Sequence, residues 1–190
     1  LGTSMAAPCV SGLSALLLAR YPGDTNTAIK ARIIATTDPF PSMEYGLGSG
    51  RINTYKALTA SPKPYFKVKD IILQELAGNN NKIPEQGESI NLIISLENIW
   101  QTAHSVSVTL ATDSQYIYSL PVNSSQYGSI ASGEVKNNSG NPLVFLIGKL
   151  DYVRVANFSL LINADGVTQT IPLKLILGRR QLAIGDNVYA

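Results

Sequence analysis

Gly2-Thr3-Ser4-Met5-Ala6-Ala7-Pro8, running on as Cys9-Val10-Ser11-Gly12 and then Leu13-Ser14-Ala15-Leu16-Leu17-Leu18-Ala19-Arg20, opens this 190-residue chain. From Ser4 to Arg20 Ala and Leu dominate, and both favour helix; Tyr21-Pro22-Gly23 stops the pattern. Pro8 falls within the first turn or so, where its missing N–H costs little. Val10, Leu13, Leu16 and Leu17 define one apolar face. Ala6, Ala7, Ala15 and Ala19 fill much of the rest with small groups, the make-up of a helix buried on most sides. Ser4 stands at the start of this helix. A hydroxyl there meets the positive end of the macrodipole, and the unpaired first-turn N–H groups can bind an oxyanion. The same position also suits a plain helix cap, so local physics alone leaves both roles open.

Outward from this helix the chain reads in two styles. A second helix is expected from Asp24 or Thr25 to about Ala35, with Asp24 as its N-cap, and a short third one around Asn53–Leu58. Gly46, Gly48 and Gly50 mark a turn between them; they lack the Lys-Ser/Thr of a phosphate-binding loop. Thr59-Ala60-Ser61-Pro62-Lys63-Pro64 reads as a linker. Beyond it the period changes to two. Ile90, Leu92, Ile94 and Leu96 oppose Asn91, Ser95 and Glu97, and the alternation returns at Val106–Leu110, Phe158–Ile162 and Ile171–Leu177. Phe66–Leu73, Tyr116–Leu120 and Leu143–Ile147 are further strand candidates. Seven or eight short strands separated by turn clusters such as Gly78–Asn81, Asn137–Asn141 and Asp165-Gly166 suggest an antiparallel sandwich. Trp100, the only tryptophan, is expected as an edge residue capping that core. Arg179–Ala190 shows no period.

The string Gly2–Gly12 resembles the nucleophile segment of subtilisin-like serine peptidases, whose usual pattern is Gly-Thr-Ser-Met-Ala, a variable residue, Pro-His-Val, a variable residue, Gly. The resemblance continues through Ile29-Lys30-Ala31-Arg32-Ile33, through Tyr45-Gly46-Leu47-Gly48-Ser49-Gly50-Arg51-Ile52-Asn53, and through Ala57-Leu58, in the family's order and spacing. It implies that residues 1–62 are the helical C-terminal remnant of an α/β catalytic domain; with the alternating stretch 63–178 as an antiparallel all-β sandwich and 179–190 as a tail, a mixed fold is expected. It also implies that Ser4 is the nucleophile of an acyl-transfer reaction that cleaves peptide bonds. Cys9 stands where the family has His, and is expected as a small buried substitution. The family's Asp, His and oxyanion Asn precede its Ser in the chain, so by this likeness they would lie upstream of Leu1. The chain, which opens inside the motif without a Met, is expected to be a piece of a longer polypeptide. His104, the single histidine, stands a hundred residues after Ser4 and reads as a surface strand residue. A serine without a base is a weak nucleophile, so the chain alone is expected to be inactive.

Composition narrows the remaining classes. Fifteen Lys and Arg against thirteen Asp and Glu give +2, too weak and scattered for a nucleic-acid footprint. The apolar runs Leu16–Ala19 and Leu143–Ile147 fall far short of the roughly 20 residues a membrane helix needs. One Cys and one His exclude a disulfide framework and most zinc sites, and Asp70, Asp113, Asp151 and Asp165 have no metal-ligand spacing, so neither metal nor cofactor is expected. The resemblance implies a peptide or protein substrate, the N-terminal part of the same catalytic domain as a partner, and a secreted or cell-surface location in a bacterium. The alternative is a non-catalytic binding or surface-attachment sandwich that carries a peptidase remnant.

Overall fold

The computed structural model describes residues 3–39 and 49–178; Gly46, Gly48 and the tail from Arg179 lie outside the described residues. Among the described residues three helices precede nine strands, and the chain divides into two compact units. One unit holds the chain as far as Lys67 together with Glu97–Ala103 and Ala131–Glu134. The other holds Val68–Leu96, His104–Ile130 and the chain from Val135 onward.

In the first unit, helix α1 spans Thr3–Arg20 and Pro8 is its sixth residue, one turn deeper than expected. The Pro8 nitrogen therefore has no hydrogen to offer the Ser4 carbonyl, its acceptor four residues back. Helix α2 spans Asn26–Ala35, and its N-cap is Thr25, whose hydroxyl accepts from the Ala28 N–H at 3.2 Å. Asp24 is not the cap; its carboxylate instead lies 3.8 Å from Arg32 Nε. Helix α3 spans Thr54–Thr59 and is capped by Asn53, which accepts from the Lys56 N–H at 2.9 Å. Leu13, Leu17, Ile29, Ile33 and Ala57 form a small core, with Tyr21, Ile52 and Leu58 against it.

The expected apolar face of α1 splits. Leu13 and Leu17 are buried, whereas Val10 and Leu16 are 38% and 52% exposed. The core reaches no further toward the N-terminus than Leu13, and every residue from Ser4 to Gly12 is exposed. The Thr59–Pro64 segment is not a free tether. Pro62 and Pro64 offer no N–H, so the segment is engaged through carbonyls. Ala60 O accepts from Arg32, Lys63 O from the Gln101 N–H at 3.4 Å, and Tyr65 O from the Ile99 N–H at 2.9 Å.

The second unit is built of strands. In one sheet β1 (Phe66–Ala77), β2 (Ser89–Asn98), β7 (Leu143–Ile147) and β4 (Ile117–Val122) lie in that order, with β6 (Val135–Asn137) also paired to β2. The other sheet runs β5 (Ser124–Ile130), β3 (Ala103–Thr112), β8 (Arg154–Ala164) and β9 (Val167–Leu177). Pairing is antiparallel, with Ile90 opposite Phe145, Leu110 opposite Leu160 and Phe158 opposite Leu173. The β8–β9 hairpin closes through Asp165-Gly166, both at positive φ, as a two-residue primed turn requires. Side chains from the two sheets meet: the Phe145 and Phe158 ring centroids are 5.2 Å apart, and the Tyr127 hydroxyl of β5 donates to the Ile94 carbonyl of β2 at 2.8 Å.

Strands β5 and β6 carry no clear sequence signal. In β5 the buried positions are Ser125, Tyr127 and Ile130, a spacing of two and then three. Gly128 at φ 69 takes up the extra residue, a bulge that breaks the alternation. Beyond β6, buried Asn138 acts as a strand partner: its amide accepts from the Ile94 N–H at 2.7 Å and donates to the Leu92 carbonyl at 3.2 Å. A side chain thus satisfies two backbone groups of β2 that a longer β6 would have paired.

Candidate functional site

Ser4 is the second residue of α1, and its side chain is exposed. Its N–H belongs to the first turn, where no helical carbonyl reaches, and the positive end of the helix lies there. Pro8 leaves the Ser4 carbonyl without its helical donor as well. Among the described residues, none hydrogen-bonds the Ser4 hydroxyl. Met5, Ala6 and Ala7 are also exposed, so the serine projects from an apolar helix end.

Cys9 is exposed, not buried as expected, because the same half of α1 has no core beneath it. Its thiol sits 3.5 Å from the Met5 carbonyl. Ser11 and Ser14 donate likewise to the carbonyls of Ala7 and Val10, at 3.2 and 2.9 Å. These polar groups are satisfied along the helix itself. Beside this stretch, Val10, Ser14, Leu18, Ile29, Ile33 and Ile34 line a groove between α1 and α2 of about 460 Å³; Ser4 is not among its lining residues.

His104 lies in the strand-bearing unit, exposed on β3, as expected. It is engaged locally: its backbone N–H donates to Asp165 Oδ2 at 2.9 Å, and its Nδ1 is 3.4 Å from the same oxygen. The pair ties the start of β3 to the β8–β9 turn.

Two carboxylate networks gave no sequence signal. Asp38 pairs with Arg51 through both backbone groups, at 2.8 and 2.9 Å. Its carboxylate accepts from Lys56 Nζ at 2.6 Å, from Asn53 Nδ2 at 3.0 and 3.2 Å, and from Arg51 at 3.3 Å. Lys56 foremost, then Asn53, hold its carboxyl at about 2, below the ordinary 3.8. Gly50 is required beside it: φ is +132°, and a Cβ would fall 2.3 Å from the Asp38 carbonyl oxygen. In the strand-bearing unit, Glu75 accepts from the N–H groups of Asn80 and Lys82, and buried Glu88 from those of Asn79 and Glu85. Glu75 and Glu88 thus organise the loop after β1. Among the described residues no three His, Cys, Asp or Glu side chains are grouped to hold a metal ion.

Residues 1–61 match the Subtilase family. Over 61 residues the chain is 41% identical to Subtilisin-like protease SBT4.3 of Arabidopsis thaliana, covering 30% of this chain and 8% of that protein. Over 69 residues it is 33% identical to Subtilisin-like protease SBT1.2 of the same plant, covering 30% of this chain and 9% of that one. The chain thus spans less than a tenth of the length of either relative. Both are plant proteins, and the expectation of a bacterial source gains no support from them. A solved β-glucosidase from Listeria innocua, in complex with gluconolactone, aligns with 77% of this chain and 20% of its own at 10% identity. Its TM-score of 0.27 is too low to argue from. Over its first 61 residues the chain is thus similar to subtilisin-like serine peptidases, and no described helix is long and apolar enough to cross a membrane.

Proposed function

We propose that this chain is the nucleophile-bearing portion of a secreted or cell-surface subtilisin-like serine endopeptidase, followed by an accessory β-sandwich. Ser4 is the nucleophile. The observation that carries this is its exposed hydroxyl in the first turn of α1, inside the segment that matches the Subtilase family. In the reaction Ser4 Oγ attacks the scissile carbonyl while a general base takes its proton. Free N–H groups at the helix start help to hold the oxyanion, the amine departs with a proton, and water hydrolyses the acyl-enzyme.

The base, the Asp that orients it and the oxyanion Asn come from sequence outside these 190 residues. His104 is given no part in it: the family's base precedes its serine in the chain, and His104 follows Ser4 by a hundred residues. The chain alone is therefore inactive toward peptides. Residues 1–62 complete a catalytic domain, 63–178 form the sandwich, and 179–190 follow as a tail. Contacts of Phe145 with Phe158 and of Tyr127 with Ile94 support the face-to-face packing of the sheets. The exposed half of α1, with Met5, Val10 and Leu16 uncovered, is the surface that the N-terminal part of the catalytic domain covers.

In the full-length protein, Ser4→Ala is expected to lower kcat for a peptide substrate by about 10⁶, the cost of losing the nucleophile from a Ser-His-Asp unit. Retained activity would remove Ser4 from the mechanism. The chain would then read as a binding module that carries a peptidase remnant.

A further inference from the structure

Arg32 is 2% exposed, yet its Nε makes no hydrogen bond and is 3.8 Å from its one acidic partner, Asp24. A buried guanidinium is costly unless its donors and its ring-like faces are otherwise occupied. Here NH1 donates to the Ala60 carbonyl at 2.7 Å and the Ala57 carbonyl at 3.4 Å. The cation lies over two aromatic rings, with Cζ 4.0 Å from the Tyr21 centroid and 5.1 Å from that of Trp100. Tyr21 is itself fixed, its hydroxyl donating to the Leu58 carbonyl at 2.6 Å. One side chain of α2 thus gathers the end of α1, the end of α3 and the loop that follows β2.

That loop is built to present Trp100, which is 6% exposed. Asn98, fully buried, donates through Nδ2 to the Gln101 carbonyl at 2.6 Å. Its Oδ1 accepts from the N–H groups of Trp100 and Tyr65, both at 3.4 Å. Its backbone is paired on the far side: the Asn98 N–H donates to Glu134 O at 3.0 Å, and the Gly133 N–H to Asn98 O at 2.7 Å. Among the described residues the core beneath α1–α3 holds Leu13, Leu17, Ile29, Ile33 and Ala57, with only Tyr21, Ile52 and Leu58 packed against it. So few apolar side chains are too little to order three helices unaided.

We propose that Arg32 and Trp100 form a conformational clasp: the helical segment holds its fold only while the Asn98–Gln101 loop delivers the Trp100 ring to the Arg32 guanidinium. With the clasp open, Arg32 hydrates, the Ala57 and Ala60 carbonyls lose their donor, and α1 and α2 loosen together. The order of the Ser4-bearing helix is thereby tied to a residue 96 positions later in the sequence.

Amide hydrogen exchange on the full chain tests this, with the emission of Trp100, the only tryptophan, as a local reporter. Trp100→Ala is expected to speed exchange at Leu13–Leu17 and Ile29–Ile33 by about tenfold or more, while the β8–β9 amides stay within about twofold of the wild type. Trp100→Phe, which restores a ring, is expected to recover most of that protection. Helix amides within about twofold of the wild type in Trp100→Ala would overturn the clasp, as would equal acceleration in β8–β9. Should Trp100→Ala fail to fold, Arg32→Lys keeps the charge but loses the planar fork. It is expected to speed helix exchange and red-shift Trp100 emission together, and either change without the other, or neither, overturns the proposal.

Discussion

Along α1, nine consecutive residues from Ser4 to Gly12 are exposed, among them Met5 at 65%; along β2, Ile90, Leu92, Ile94 and Leu96 are each 1% exposed or less. Both stretches are apolar, and both form regular structure. The strand has partners on both edges and side chains of the other sheet over it, whereas the helix has a core only from Leu13 onward. Apolar sequence left uncovered over this length is a candidate interaction surface. The contrast separates a part whose apolar side chains are covered within these residues from a part where they are not, the face that we propose the rest of a catalytic domain covers.

Substitutions can break or sharpen that contrast. The largest effect on stability is expected at Phe145→Ala, which removes a fully buried ring that touches Phe158, at a cost of about 3–5 kcal/mol in equilibrium unfolding. Leu17→Ala, in the small helical core, is expected to cost about 2–4 kcal/mol, read from the helical circular dichroism signal. A loss as large as that at Phe145 would show the helical core to be as complete as the sheet core.

Acid should strike the helical segment through Asp38, whose folded pKa of about 2 lies below the ordinary 3.8. Its contribution is fully present above about 4 and is lost as pH falls from there toward 2. The urea midpoint of the helical signal is expected to drop over that window in the wild type and to stay flatter in Asp38→Asn. The smallest effect belongs to Leu16→Ala, 52% exposed and next to Leu17, which is expected to change the stability of this chain by no more than about 0.5 kcal/mol. The same substitution in the full-length protein is expected to cost several times more. Equal small costs in both would leave the outer half of α1 uncovered there too.

What the sequence made legible follows from how local each signal is. Strands β2 and β9 were readable because Ile and Leu recur at every second position, and β7 because Leu143–Ile147 is one unbroken apolar run. Strand β5 was hidden because Gly128 shifts its phase and a serine, bonded to the Asn141 carbonyl, sits inward. Strand β6 was hidden because its pairing with β2 is completed by the Asn138 side chain. Helix spans came through, but the cap of α2 went to Thr25 because Asp24 faces Arg32. Ser4 was legible as a candidate since its neighbours form one unbroken string. Asp38, Arg32 and Trp100 were not, because their partners in other elements lie 8 to 68 positions away and no spacing rule joins them.

The claim that Ser4 is a nucleophile whose base lies outside this chain is tested most directly by a fluorophosphonate probe, with the labelled residue mapped by mass spectrometry. The account predicts rapid labelling of Ser4 in the full-length protein, abolished by Ser4→Ala, and none in the 190-residue chain under the same conditions. Labelling at another residue of the full-length protein, or Ser4 labelling as fast in the isolated chain, would contradict it.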